Sequence, residues 1–323
     1  MTLSIRLAAH HALLSRPLHG DDPTRHVRRL AASLDDKPAG MDRYARLDRY
    51  GKALAHVCAQ VSAPPRTLPP GTGLAVASLH SCHETNSQFD AELIAKGPRS
   101  ASPLLFPYTL PGAAAAEVAM HLGLVGPYSV FPGGADAALA ALLTASEGID
   151  ASDMPACVVA TSDVLGTSTL EHLRVAGALP QPPAPPLAEG AVAVLLAHPG
   201  EPLVGPLVAL DAALGPGNPN NDDLLRLAHE AIERAELSTD AVTQLVSATT
   251  DLALVDRERH VLESLPRVMQ PLHLGWRLGD AGASLGLLAL LAALEGSGPA
   301  LVLACTPSAS IAVAVRDCSL WHD

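Results

Sequence analysis

The chain has 323 residues, 48% of them hydrophobic, enough for a sizeable core and incompatible with a disordered, collagen-like or disulfide-stapled polypeptide. Net charge is −12, divided into +5 on residues 1–66 and −17 on the remainder, which excludes a nucleic-acid backbone as partner. Only 17% of residues are charged, against roughly 25% in an ordinary soluble domain, so part of the surface is expected to lie against a partner.

In chain order, β-like runs alternate with Ala- and Leu-rich helical stretches. Residues 3–7 read as a strand, 41–61 as a helix and 73–78 as a strand. Helices follow at 85–96, 112–122 and 135–147, then strands at 156–160, 191–197 and 203–210. A helix is predicted over 221–235, a strand over 244–248, a helix over 281–295, and strands over 299–304 and 310–315. Asp222 and Ser238 read as helix starts, Gly123 and Gly296 as stops. The run 191–197 is apolar throughout, as in a strand covered on both faces. The alternation predicts an α/β protein with a mainly parallel sheet and helices on both faces. Residues 180–190, PQPPAPPLAEG, read as a stiff polyproline-type surface crossing, and 216–222 as a turn before a helix. The βαβ order recurs on either side of residue 200, which divides the chain into halves 1–200 and 201–323.

Five widely spaced cysteines (Cys58, Cys82, Cys157, Cys305, Cys318) without a C-x-x-C pair read as reduced thiols in a cytoplasmic protein. Arg6, His10 and His11 break the N-terminal apolar run, so no signal peptide is expected. The longest apolar stretch, 285–294, is shorter than the roughly 18 residues of a membrane span. Fourteen histidines are scattered without ligand spacing, and Gly112 and Gly133-Gly134 make neither G-x-G-x-x-G nor a P-loop. No metal and no cofactor are therefore expected. Cys82-His83-Glu84 is a candidate thiolate pair, although sequence neighbours rarely face each other and a packed thiol is the simpler reading.

Residues 97–147 carry a more specific pattern. Gly97-Pro98-Arg99, Ser102-Pro103 and Pro107 lead into an Ala-rich helix, then Gly123-Leu124 and Gly126-Pro127, then FPGGADAAL at a helix start. Three further segments stand in order with it. They are Met41-Asp42-Arg43-Tyr44-Ala45-Arg46-Leu47-Asp48-Arg49-Tyr50, Ala188-Glu189-Gly190-Ala191-Val192 and Leu278-Gly279-Asp280-Ala281-Gly282-Ala283-Ser284-Leu285-Gly286. Together these resemble a decarboxylating β-ketoacyl synthase of the thiolase superfamily. The resemblance implies an αβαβα layered sandwich of two related halves, the second shortened here.

The family's catalytic residues do not carry over. Its cysteine, activated at a helix N-terminus, would fall within Phe131–Ala135, where Phe131, Gly133 and Gly134 offer no nucleophile. Its first histidine loop reads Ala248-Thr249-Thr250-Asp251 here, and its second reads Gly275-Trp276-Arg277. The family lysine four residues before that glycine is Pro271. Phe131, Gly133, Gly134, Thr249 and Trp276 are thus expected to be vestigial positions: Trp276 cannot accept a hydrogen bond or shuttle a proton, and Gly133 cannot carry an acyl group. The loss resembles the chain length factor of type II polyketide systems, whose Ala-Gly-Gly-Leu-Asp-Ala run is similar to FPGGADAAL.

That likeness implies a heterodimer with an active ketosynthase, whose acyl tunnel this chain would help close. An acyl carrier protein would dock mainly through the partner or on the basic segment 1–66. His80, Cys82, Phe89, Leu93 and Leu105 are the implied tunnel and interface residues, Phe89 and Leu93 as a gate and Leu105 as the residue crossing into the partner. Two other readings stay open: an acyl-transfer or hydrolytic enzyme using Cys82, and a stand-alone acyl-binding homodimer.

Overall fold

The same five-strand arrangement occurs twice in the computed structural model, which describes residues 3–14, 27–268 and 270–317. The strands are β1 (Leu3–Leu14), β2 (Val27–Arg28), β3 (Gly73–Ser78), β4 (Tyr128–Pro132), β5 (Ala156–Asp163), β6 (Leu187–Ala188) and β7 (Gly190–Ala197), then β8 (Leu207–Pro216), β9 (Gln244–Ser247), β10 (Leu272–His273), β11 (Ala300–Cys305) and β12 (Ala309–Asp317). The helices are α1 (Arg49–Ser62), α2 (His83–Lys96), α3 (Pro111–Leu122), α4 (Ala135–Asp150), α5 (Thr167–Val175), α6 (Asn221–Arg234), α7 (Leu252–Glu263), α8 (Leu274–Leu278) and α9 (Ser284–Leu294). The main sheet runs β10-β9-β11-β12-β8-β1-β7-β5-β3-β4, and β2 and β6 form a small separate pair. Counted in chain order within the main sheet, each set of five strands reads 3-2-4-5-1. The two sets meet where β1 and β8 pair antiparallel.

The sheet is mixed, which corrects the expectation of a mainly parallel one. Pairing is parallel at β3/β4, β3/β5, β9/β10 and β9/β11, and antiparallel through the five joints from β5 to β11. The reason is local at β11/β12, where Thr306, Pro307 and Ser308 alone connect the strands, too short a link for a parallel crossover. Runs such as 191–197 look the same in either direction when both faces are covered.

Helices α4 and α9 pack on each other and touch strands of both repeats, forming a central layer. On the outer faces, α1 and α3 cover the first repeat, and α6 and α7 the second. The order of layers is therefore αβαβα. An α9 that is apolar all round suits its place between two sheets. Gly286 permits the close approach, since a Cβ there would meet the Ala135 carbonyl oxygen at 2.4 Å.

Several predicted boundaries shift. The helix expected over 41–61 begins at Arg49, where the Asp48 side chain accepts from the Gly51 amide, and Tyr44–Arg46 is a separate 3-10 turn. Asn220, not Asp222, caps α6 through a reciprocal capping box with Asp223. Ser238 precedes only a 3-10 turn. Gly123 ends α3 in the left-handed conformation as predicted, whereas α9 stops at Leu294, before Gly296. The strand expected at 203 starts at Leu207. In the proline-rich segment only 181–183 are exposed, and β6 lies buried in what read as a surface crossing. Cys58, Cys82, Cys157 and Cys305 are buried free thiols, and Cys318 lies outside the described residues.

Two buried carboxylates tie the first repeat together. Glu189 accepts from Arg29 and Arg49 and from the amides of Leu30 and Leu165. Burial pushes its carboxyl up, but Arg49, the Leu30 amide and Arg29 together hold it below its ordinary value. Asp163, at the end of β5, accepts from the Leu79, His80 and Ala283 amides and the Ser78 hydroxyl, fixing the turn after β3 against the entry to α9. Replacing Asp163 with Ala strands the buried Ala283 amide at about 1–3 kcal/mol and frees the part-buried Leu79 and His80 amides at less. Asp163→Ala is thus expected to lower the thermal midpoint by several degrees more than Asp163→Asn, which keeps an acceptor for the β3 turn; differential scanning calorimetry on both variants checks the order.

Candidate functional site

Strand β4 runs into the Gly133-Gly134 turn and delivers the chain to the N-terminus of α4. The turn is held by the Gly133 amide donating to the Ser78 carbonyl at 3.0 Å. Gly133 has φ +149°, and a Cβ there would meet the Ala137 Cβ at 2.8 Å. A Cβ at Gly134 would lie 3.5 Å from Asp136 Oδ1 and 3.7 Å from the Thr306 methyl. A thiol introduced at Gly134 would therefore face a carboxylate, which raises a thiol pKa and opposes the helix N-terminus.

Contacts lead from there across the second repeat. Thr306 follows Cys305, whose amide donates to Thr249 Oγ1 at 3.1 Å. The Thr249 hydroxyl donates to Glu258 Oε1 at 2.5 Å, and Glu258 Oε2 lies 3.6 Å from His273 Nδ1. The His273 ring stands edge-on to Trp276 with centroids 6.0 Å apart, and the Trp276 indole N–H donates to the Pro183 carbonyl at 3.3 Å. A Cβ on Gly275 would meet the Thr250 methyl at 2.7 Å, which brings α8 onto the loop after β9. Gly133, Gly134, Thr249 and Trp276 therefore lie along one continuous line of contacts at the C-terminal ends of β4, β9 and β11. This is the end of a sheet where α/β proteins place their chemistry. Phe131 is part of β4, half-buried against the central core.

The Thr249 hydroxyl on this line is bonded to a carboxyl whose affinity for a proton is raised by burial. Burial holds the Cys305 thiol at about 12 and Glu258 at about 7, and it pushes His273 down. Glu258 and His273 were not among the residues singled out from sequence. Glu258 was read only as marking, with Asp256, the helix after the Thr249 loop, and the fold buries it to 1% exposure.

The other predicted residues fall on the β4 side. His80 and Cys82 lie in the turn after β3, whose Ser78 also holds Gly133. Cys82 precedes the first residue of α2, and its thiol lies 3.2 Å from the Thr109 carbonyl, to which it donates. Burial raises its pKa, with the Asp48 carboxylate adding to the effect. His83 Nδ1 is instead 3.2 Å from the Thr169 hydroxyl. Cys82 and His83 thus form no thiolate pair. Phe89 and Leu93 sit one turn apart on α2, and the Phe89 ring packs on Phe106 at a centroid distance of 5.9 Å. Leu105 is half-buried just before the 3-10 turn Phe106–Thr109.

This flank also carries exposed apolar side chains. Ile94 is 85%, Leu104 70%, Leu110 65% and Phe106 63% exposed. Beside them β4 closes one end of the main sheet, with nothing paired to its outer side among the described residues. No group of three or more His, Cys, Asp or Glu side chains among the described residues is arranged to hold a metal. No described helix is long and apolar enough to cross a membrane.

No protein-family model matches the chain, and no curated protein matches its sequence. Its fold matches solved structures over most of its length. One described as the ishigamide ketosynthase/chain length factor has a TM-score of 0.71 at 19% identity, covering 87% of this chain and 84% of that one. A β-ketoacyl synthase from Burkholderia phymatum STM815 has a TM-score of 0.74 at 13% identity, covering 97% and 92%. A type II polyketide synthase acyl carrier protein in complex with its ketosynthase bound to the hexaketide (AntDE:AntF) gives 0.74 at 13%, covering 98% and 100%. The fold is therefore the thiolase-like fold of β-ketoacyl synthases.

Glu258 gives this site a measurable pH dependence. Its pKa is raised from 4.5 to about 7 in the folded chain, so the fold holds a proton that the unfolded chain gives up earlier. The associated stability is complete below pH ~4.5 and is lost as pH rises to about 7, on the order of 3 kcal/mol in all. Glu258→Gln removes that contribution. Urea unfolding at pH 5 and pH 8 is expected to show a smaller pH difference in the variant than in the natural chain.

Proposed function

We propose that this chain is a non-catalytic, chain-length-factor-type subunit that pairs with an active ketosynthase and shapes its acyl tunnel during polyketide or polyene elongation. The observation that carries the reading is the line from Gly134 through Thr249 and Glu258 to Trp276. The scaffold that would hold a condensing centre persists there, with glycines where the nucleophile would stand and Thr249 and Trp276 where the family's histidines would. The partner would supply the nucleophile and the histidines, and this chain interface and tunnel wall. The two repeats, 1–200 and 201–323, would act as one rigid body in that pair, in the cytoplasm.

The β4 flank supports a protein partner. An open strand edge beside several large exposed apolar side chains is a surface that monomeric proteins cover or avoid. Covering it with a second ketosynthase-fold chain would extend the sheet and bury Ile94, Leu104, Leu110 and Phe106. Phe89 and Leu93 would then lie behind the contact as the gate, with His80 and Cys82 in the wall and Leu105 crossing into the partner. The acyl carrier protein would meet the assembly mainly on the ketosynthase, since residues beyond 66 carry −17 here.

Two outcomes are expected. Co-expressed with the ketosynthase encoded beside it, the chain elutes from size exclusion as a one-to-one complex, and Phe106→Asp reduces complex yield at least tenfold while leaving the circular dichroism spectrum unchanged. A soluble homodimer that ignores the ketosynthase would favour the acyl-binding reading instead. Within an active pair, Phe89→Ala is expected to lengthen the product by mass spectrometry, and an unchanged length removes Phe89 from the gate.

A further inference from the structure

From Asn86 to Ala113 the chain has no buried residue, although this stretch holds most of α2 and two 3-10 turns. It is pinned at both ends. At the first, Thr85 donates to Asp48, Glu84 accepts from the Ser168 amide and hydroxyl, and Cys82 is buried. At the second, Tyr108 donates to Glu117, Tyr50 donates to the Pro111 carbonyl, and Ala114 and Ala115 enter the core. Between the pins, residues 87–107 make no hydrogen bond or ion pair to a described residue outside 83–110; their bonds close local turns. We propose, resting on the function proposed above for the identity of the covering chain, that residues 86–107 form an arm that opens and closes in the free chain. A second ketosynthase-fold chain fixes it, so that Phe89 and Leu93 take their working positions as a gate in the assembled pair.

Ordering a segment costs conformational entropy, which a stable fold offsets by burying side chains. The arm buries none. Helix α2 has 14 residues, and an isolated helix of roughly 12–15 residues is marginal in water. It packs on α5 and on the turns Pro98–Ser100 and Phe106–Thr109, and α5 is itself peripheral, with Thr169 its one buried residue. The ring contact that folds the arm back on itself is Phe89 on Phe106, and Phe106 is largely exposed. A segment supported this weakly opens locally while the core stays closed.

The surface indicates what covers the arm. Asp90 and Glu92 are balanced by Lys96 and Arg99, so the arm is electrically neutral and gives a charged carrier protein no field to follow. Its exposed side chains include Ile94 and Leu104, and apolar exposure extends to Met120 on α3, to Val125 and to Tyr128 on the open edge strand β4. A partner with an apolar face and a free strand matches both features, and a second chain of this fold brings both. Covering the arm supplies the missing burial, which couples its folding to binding. Product length is thereby a property of the pair, because the partner sets where Phe89 and Leu93 stand.

Hydrogen–deuterium exchange followed by mass spectrometry reads the arm directly. In the free chain, peptides within 86–107 are expected to exchange about a hundredfold faster than peptides from α4. Adding the ketosynthase to form the one-to-one complex is expected to slow the arm at least ~tenfold and to leave α4 unchanged. Ile94→Lys with Leu104→Lys, two exposed sites outside the Phe89–Phe106 contact, provides the free chain if the natural one precipitates alone. Arm peptides that exchange equally slowly with and without the ketosynthase overturn the inference and leave the proposed function standing. Slowing that follows the concentration of the free chain alone assigns the cover to a second copy and overturns the partner named here. If no complex forms, the proposed function falls and the named partner with it; exchange in the free chain is read separately, and slow exchange there overturns the opening itself.

Discussion

Everything about this molecule follows from two helices that must share one layer. Helix α9 brings Gly286 against the backbone of Ala135, the first residue of α4, at a separation no larger side chain permits. That contact clamps the two repeats face to face and sets the start of α4 beside the ends of β9 and β11. The geometry serves condensation chemistry, because a helix N-terminus lowers the pKa of a thiol and the facing strand ends can carry bases. On the proposed reading this layout persists while its chemical occupants have been replaced. Gly133 and Gly134 stand at the helix start, Asp136 supplies the negative charge near the dipole, and Thr249 and Trp276 stand at the other strand ends.

On the proposed reading, a condensing-enzyme layout kept without catalysis has a physical reason in the β4 flank. The helix start, the Gly133 turn and the end of β3 are one hydrogen-bonded unit, joined through Ser78 to Asp163. The same unit positions α2 and the Phe106–Thr109 turn, which carry the exposed apolar side chains. A partner that recognises this flank would therefore depend on the core arrangement even when the site behind it does nothing covalent. Glu258 shows the cost of that inheritance: a carboxyl buried without a cation, relieved only by hydroxyls and by an imidazole 3.6 Å away.

Much of the layout was legible from residues alone because apolar strands and Ala-rich helices have unambiguous periods. The strand 73–78 and the end of α3 at Gly123 match the observed bounds, and the motif segments mark the joints where the layers meet. What escaped was set by tertiary context. The five-residue β4 ends at Pro132, just before Gly133-Gly134, and reads as a loop, although its register against β3 makes it the sheet edge. Strand direction is invisible in runs covered on both faces, so the mixed sheet read as parallel. Helix α5 is polar enough to pass for a loop. Of the candidate site, Gly133, Gly134, Thr249 and Trp276 were singled out from sequence, as positions expected to lack the family's nucleophile and histidines. Glu258 and His273 were not, since each matters only because the fold turns it toward the other.

The central claim, that this chain holds a tunnel wall and no covalent intermediate, can be tested on the assembled pair. Intact-protein mass spectrometry after incubation with an acyl-loaded carrier protein separates the two subunits by mass and reports where the acyl group resides. The account predicts an acyl adduct on the ketosynthase alone, with this chain at its unmodified mass at every time point. An acyl adduct on this chain, at Cys82 or at any other residue, would contradict it.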